Sequence, residues 1–239
     1  MSDYLKFLAK FGIGGAHPGG LPLTKEILKS EKVENSMAIL DAGCGTGQTA
    51  AYLSRKFRCD VTALDYEKMM LEKAAKRFER EKLPVHIVHG STENLPFDDQ
   101  SFDLVLSESV TAFTNITKSL EQYARVLKPG GRLLAIEMTK EGDFTFEEEQ
   151  KVKEFYGVKD ILSEKEWCNE MLHAGFYKVE TIAEDTTVKH APLEEISEFK
   201  LSQDFELHLF QIWMEHQEIM NRLRERLTYR IYKAEKSNA

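Results

Sequence analysis

Cysteine is scarce in this 239-residue chain, with only Cys44, Cys59 and Cys168, far apart from one another. That rules out a disulfide framework as the basis of the fold and reads as reduced thiols in a cytoplasmic protein. No apolar run reaches the roughly 18 residues needed to cross a bilayer, so no membrane span is expected. The opening residues, Met-Ser-Asp-Tyr-Leu-Lys-Phe-Leu-Ala-Lys-Phe-Gly, lack the basic-then-apolar order of a secretion signal. Basic residues are in deficit, 32 against 40 acidic, for a formal net charge of −8. That balance argues against a nucleic-acid or anionic-membrane partner. Histidines are few. His86 and His89 flank one short apolar stretch without further ligands at metal spacing, so they read as structural and no metal is expected. Internal repeats and low-complexity tracts are absent.

What is present is ordinary globular composition, 42% hydrophobic and 30% charged, in a length suited to one large α/β domain. The chain is organised around residues 37–47, Met-Ala-Ile-Leu-Asp-Ala-Gly-Cys-Gly-Thr-Gly. A short apolar run ending in Asp41 reads as a buried strand. Gly43, Gly45 and Gly47 then allow a sharp turn and close approach of backbone to a ligand. Gln48 to Phe57 follows as a helix, completing the opening unit of a nucleotide-binding sheet. The dinucleotide fingerprint would put its third glycine at position 48, which is Gln48. A carboxylate at the strand end would repel a pyrophosphate but suit a cationic ligand. S-adenosyl-L-methionine fits, with its ammonium near Asp41 and its carboxylate at the helix amides. The stretch Asp-Ala-Gly-Cys-Gly-Thr-Gly at 41–47 resembles motif I of the class I S-adenosyl-L-methionine-dependent methyltransferases.

Later stretches carry the same resemblance in order. Asp60 to Asp65 reads as a second strand, and Asp65 lies 18 residues beyond Gly47. That is near the roughly 20-residue offset at which an acid reaches ribose hydroxyls. A long helix over 66–80 opens with Tyr66, Met69 and Met70. Tyr66 joins the candidate cofactor residues, and the resemblance implies that Met70 packs near adenosine. After a third strand at 85–89, Gly90-Ser-Thr-Glu-Asn-Leu-Pro-Phe resembles the family's adenine-binding loop. Ser91 stands where that family often has an acid, and Thr92 and Glu93 share the expected work. Phe102 to Ser107 reads as a fourth, buried strand. Ser107 and Glu108 at its carboxyl end are expected beside the transferred methyl group, Ser107 as a cofactor contact and Glu108 as a candidate base. The absence of Asn-Pro-Pro-Tyr here weighs against nucleobase or protein-glutamine substrates. Ala-Arg-Val-Leu-Lys-Pro-Gly-Gly-Arg-Leu-Leu at 124–134 is similar to the same family, its Pro-Gly turn leading into a fifth strand. Glu137 ends that strand, and with Glu108 it hints at an amine or cationic substrate.

Outside this core, residues 3–11 read as an amphipathic helix, followed by five glycines and a proline in residues 12–20. That segment is read as a lid, with His17 a second candidate base. Ser163-Glu-Lys-Glu166 reads as a capping box opening a helix to 174. Residues 178–183 and 186–190 read as a closing strand pair. Residues 193–200 and 203–233 read as helices, the second carrying an apolar stripe from Phe205 to Leu227.

The resemblance spans residues 37–190. It implies a Rossmann-like, doubly wound, seven-stranded sheet, mostly parallel with the last strand antiparallel. Residues 1–32 would form the N-terminal helices and lid, 33–190 the S-adenosyl-L-methionine-binding core, and 191–239 C-terminal helices. The implied activity is methyl transfer to a nitrogen, oxygen or carbon of a small molecule, by a monomer or homodimer. Two other readings stay open: a nicotinamide-dependent oxidoreductase on a related sheet, and a non-catalytic S-adenosyl-L-methionine-binding protein.

Overall fold

Three short apolar runs that end in acids become strands of one sheet. A computed structural model describes residues 2–11, 17, 19–182 and 207–238. Its strands are β1 (Ala38–Ala42), β2 (Asp60–Asp65), β3 (Val85–His89), β4 (Phe102–Glu108), β5 (Leu127–Lys140), β6 (Phe176–Ile182) and β7 (Leu227–Lys236). They form a seven-stranded sheet in the order β3-β2-β1-β4-β5-β7-β6. The pairs from β3 through β5 are parallel, and β7 runs antiparallel to both β5 and β6. Strand order reverses between β1 and β4. Open α/β sheets bind ligands outside the carboxyl ends of the strands at that switch. Asp41, Asp65 and Glu108 all stand at those ends.

The helices are α1 (Asp3–Phe11), α2 (Gly20–Ser30), α3 (Gln48–Phe57), α4 (Lys68–Glu81), α5 (Ile116–Val126), α6 (Phe146–Tyr156), α7 (Glu164–His173) and α8 (Leu207–Arg222), with a 3-10 turn at Thr111–Phe113. Because successive strand residues face opposite ways, the sheet has a core on each side. Ile39, Ala63, Leu104, Leu134 and Ile136 pack with α2, α3 and α4. Leu40, Leu64, Val105, Leu133 and Ala135 pack with α5 and α7. Trp167 of α7 is fully buried there, and its indole N–H donates to the Met138 carbonyl at 2.9 Å. The expected capping box is present, with Ser163 and Glu166 satisfying each other's backbone amides. Lys73 of α4 donates to the last carbonyls of α1, Ala9 at 2.7 Å and Lys10 at 3.1 Å. It thereby pins that helix by its negative end.

The C-terminal reading is corrected. The helix does not run to 233: α8 stops at Arg222, and Leu227–Lys236 is the sheet's seventh strand. Leu223 and Leu227 lie four apart, which carried the apparent helical stripe across a turn. Beyond it, Leu-Thr-Tyr-Arg-Ile-Tyr-Lys-Ala supplies branched and aromatic side chains that fit a pleated surface. Its backbone saturates β5 along nine register pairs. The expected strand at 186–190, the helix at 193–200 and Phe205 lie outside the described residues, as do 12–16 and 18 of the glycine-rich segment.

Candidate active site

The glycine loop is built by its own backbone. The amides of Gly43 and Cys44 both donate to the Leu64 carbonyl, at 2.7 and 2.9 Å, so the loop is tied across β2. Gly43, Gly45 and Gly47 all have positive φ, the region glycine occupies without a Cβ penalty. A Cβ on Gly43 would lie 2.4 Å from Val110 Cγ2, and one on Gly47 2.5 Å from Phe78 Cζ. At Gly45 the same atom would meet nothing within 4 Å. Two loop glycines are therefore demanded by packing, and the third faces open space. Thr46 beside it is 2% exposed, and its hydroxyl has no hydrogen-bond partner among the described residues. An unpaired hydroxyl at that depth is costly. The Arg77 guanidinium holds the Thr46 carbonyl at 2.8 Å from α4.

Carboxylates surround this loop. Asp65 accepts the Gly45 amide at 2.8 Å on one oxygen and the Glu67 amide at 2.8 Å on the other. Asp41 is 3% exposed and accepts the Ala50 amide in the first turn of α3 at 3.0 Å. Burial pushes the Asp41 carboxyl well above the usual carboxylate range, and the nearby charges of Glu108 and Asp65 push it further. Burial also raises Asp65, against the lowering effect of its two amides. Burial raises the Cys44 thiol, with Asp41 and Asp65 adding to it, which keeps it un-ionised.

Glu108 joins the chain's separate pieces. One oxygen accepts the Thr24 hydroxyl of α2 at 2.5 Å, and the other accepts the Thr49 hydroxyl of α3 at 2.6 Å. His17 Nε2 lies 3.6 Å from the second oxygen and 3.3 Å from Thr24 Oγ1, with its side chain 2% exposed. Thr24 and Thr49 were invisible to sequence reasoning, since a threonine on a helix carries no spacing signal of its own.

The other expected residues are distributed differently. Met70 is buried on α4, whereas Tyr66 is 68% exposed and stacks on His89. Ser91 Oγ accepts the Glu93 amide at 3.2 Å. Thr92 is buried, with its hydroxyl 3.0 Å from that of Ser119. Glu93 accepts the Asn115 amide at 2.9 Å. The side chains of this loop thus hold the loop itself. Ser107 points into the core. It donates to Glu137 at 3.2 Å and lies 2.8 Å from the Thr111 hydroxyl. Glu137 is wholly buried and accepts the amides of Thr111 and Ala112 at 3.1 and 3.2 Å. The paired-acid hint of a cationic substrate is withdrawn, because Glu137 spends both oxygens on the protein's own amides.

The methyltransferase domain family matches residues 40–135. The chain is 39% identical over 236 residues to the uncharacterized methyltransferase YodH of Bacillus subtilis, spanning 99% of this chain and all of that one. It is 34% identical over 119 residues to demethylmenaquinone methyltransferase of Staphylococcus haemolyticus, about half of each chain (48% and 49%). The fold is shared with Haemonchus contortus phosphoethanolamine N-methyltransferase 2 in complex with S-adenosyl-L-methionine, at a TM-score of 0.79 and 19% identity, covering 98% of this chain and 56% of that one. It is also shared with the [4+2]-cyclase SpnF, at a TM-score of 0.74 and 20% identity, covering 91% and 81%. No helix among the described residues is long and apolar enough to cross a membrane. With a glycine loop open at Gly45, acids at the ends of β1, β2 and β4, and a relative matched along its whole length, this chain belongs to the class I S-adenosyl-L-methionine-dependent methyltransferases.

Proposed function

We propose that the protein methylates a nitrogen, oxygen or carbon nucleophile of a small molecule. The observation that carries this reading is the join made by Glu108: it links α2, the cofactor-loop helix α3 and the end of β4, with buried His17 beside it. The bound cofactor supplies an electrophilic methyl group on a sulfur that leaves as a neutral thioether. Asp65 accepts the ribose hydroxyls, while the Thr46 hydroxyl and the first amides of α3 take the carboxylate. Met70 packs beside the adenosine, and the Ser91, Thr92 and Glu93 loop borders the adenine, with Tyr66 at its outer edge. Burial raises the carboxyls of Asp41 and Asp65 beside Glu108; a cationic cofactor would lower them again, whereas a dinucleotide pyrophosphate would raise them further.

Much of the rate then comes from alignment and exclusion of water. A nucleophile that arrives protonated gives its proton to His17. Glu108, held by the Thr24 and Thr49 hydroxyls and 3.6 Å from that imidazole, is the charge that favours the protonated ring. The test is calorimetric titration of the wild type with S-adenosyl-L-methionine, with a nicotinamide dinucleotide as control. A methyl-transfer screen of small amines, phenols and acids follows, using the wild type and His17→Gln. Cofactor binding retained in His17→Gln with turnover lost supports the assignment, and full turnover in that variant refutes it.

A further inference from the structure

The segment from Ser109 to Ala112 connects β4 to the 3-10 turn and borders the cofactor loop. Ser109 has φ +57, a left-handed conformation that a serine adopts only when held. Its amide donates to the Ile136 carbonyl at 2.7 Å. Val110 packs directly on Gly43, where even a Cβ would collide with it. The next two amides, Thr111 and Ala112, go to the two oxygens of Glu137. A carboxylate taking the first free amides of a turn is a capping arrangement, here made by a residue from another strand and wholly buried.

We propose that Glu137 is a positioning residue whose ionised carboxylate fastens the Ser109–Ala112 segment, seats Val110 on Gly43, and so couples its own charge to cofactor binding. The inference rests on the cofactor site described above. An ionised carboxylate accepts both amides and the Ser107 hydroxyl at once. A protonated one carries a hydrogen on one oxygen and loses acceptor capacity there. Among the described residues, the groups around it do not neutralise it. From β4 comes the Ser107 hydroxyl, and from the turn the amides and the Thr111 hydroxyl. From α5 comes Tyr123, 3.5 Å from Ser107 Oγ, whose phenol is pushed up to about 12 by burial and stays protonated. Directly across on β7 is Arg230, whose guanidinium is engaged by Glu141 and by Glu164 of α7. Burial raises the Glu137 carboxyl to about 7, against the lowering effect of its hydrogen bonds. The group is thus poised between its two states near neutrality. When the cofactor binds, the O–H bond of the protonated fraction breaks and the proton passes to the buffer.

The test is titration calorimetry of the whole chain with S-adenosyl-L-homocysteine, in buffers of differing ionisation enthalpy, between about pH 6 and pH 8. The wild type is expected to bind about tenfold more weakly at the acid end and to release a fraction of a proton near neutrality. Glu137→Gln is expected to bind weakly throughout, with this pH dependence and proton release abolished. Tyr123→Phe, which leaves the two amides clamped, is expected to keep both. Persistence of the full pH dependence in Glu137→Gln would assign it to Asp41 or Asp65 and overturn the inference. If that variant does not fold, infrared difference spectra of the wild type with carboxyl-labelled glutamate decide. A protonated glutamate band lost on binding supports the coupling, and its absence overturns it. Failure of the wild type to bind at any pH would remove the cofactor reading itself, which is a distinct result.

Discussion

Asp65 Oδ2 accepts the amide of Gly45 at 2.8 Å, so the acid that ends β2 is fastened to the apex of the loop that follows β1. With the ribose contact proposed above, recognition and loop geometry would share this one side chain. Asp65→Ala removes both, and cofactor affinity is expected to fall about 100-fold, the loss of two charge-assisted hydrogen bonds. Asp65→Asn keeps an oxygen for Gly45 but turns an NH2 toward the Glu67 amide. Its loss is expected to be smaller, about tenfold. Calorimetry on both variants checks the order, and equal losses would show that loop anchoring contributes nothing.

The loop glycines should separate fold from binding. Gly43→Ala drives a methyl group into Val110 and is expected to lower both stability and affinity. Gly45→Ala meets no protein atom, so its fold cost is limited to the left-handed backbone, about 1 kcal/mol. Its methyl group instead enters the open space where the cofactor is proposed to lie. Urea denaturation is expected to show a near-native midpoint for Gly45→Ala beside a large loss of S-adenosyl-L-methionine binding. Unchanged binding in that variant would place the ligand elsewhere.

The glycine loop and the acids beside it were legible because their constraints are local. Gly43, Gly45 and Gly47 must be glycine for backbone reasons, and Asp41 and Asp65 end apolar runs short enough to be strands. The bounds of α1, α3, β2 and β3 agree with the sequence reading for the same reason. What escaped was set by distant partners. Nothing near Glu137 in sequence indicates that its carboxylate turns inward to amides 26 and 25 residues away. Thr24 reaches Glu108 across 84 residues and Thr49 across 59. The seventh strand escaped because two leucines four residues apart mimic a helical stripe, and only the free edge of β5 decides against it.

Helix α2, which brings Thr24 to Glu108, is anchored at its other end by charge. The Glu31 side chain is 3% exposed and lies between Arg132 at 2.5 Å and Lys233 at 2.8 Å. Removing it leaves two partly buried cations without their anion. Glu31→Ala is expected to cost about 3 kcal/mol of stability. Replacing Arg132 and Lys233 by Met together with Glu31→Leu should restore much of that loss. Chemical denaturation of the single and triple variants checks this, and a single-variant cost within experimental error would show the triad to be solvated.

Stability should fall as pH rises toward neutrality, and Glu137 fixes the sign. Its carboxyl sits near 7 when folded, against 4.5 for an unburied glutamate. Below the lower value both states hold the proton, and nothing is gained or lost. Between the two, the unfolded chain ionises while the folded one keeps its proton, so stability declines with pH. Above the upper value the loss is complete, about 3 kcal/mol for a shift of this size. Asp41 and Asp65, also raised by burial, add to the same slope. Urea titrations of the cofactor-free wild type are expected to show higher midpoints near pH 5 than near pH 8. Glu137→Gln should flatten that profile by one proton's share while Tyr123→Phe leaves it steep. A wild-type profile that rises with pH would mean that the carboxylates are ionised and paired in the folded protein, which would contradict the burial of Glu137 without a paired cation among the described residues.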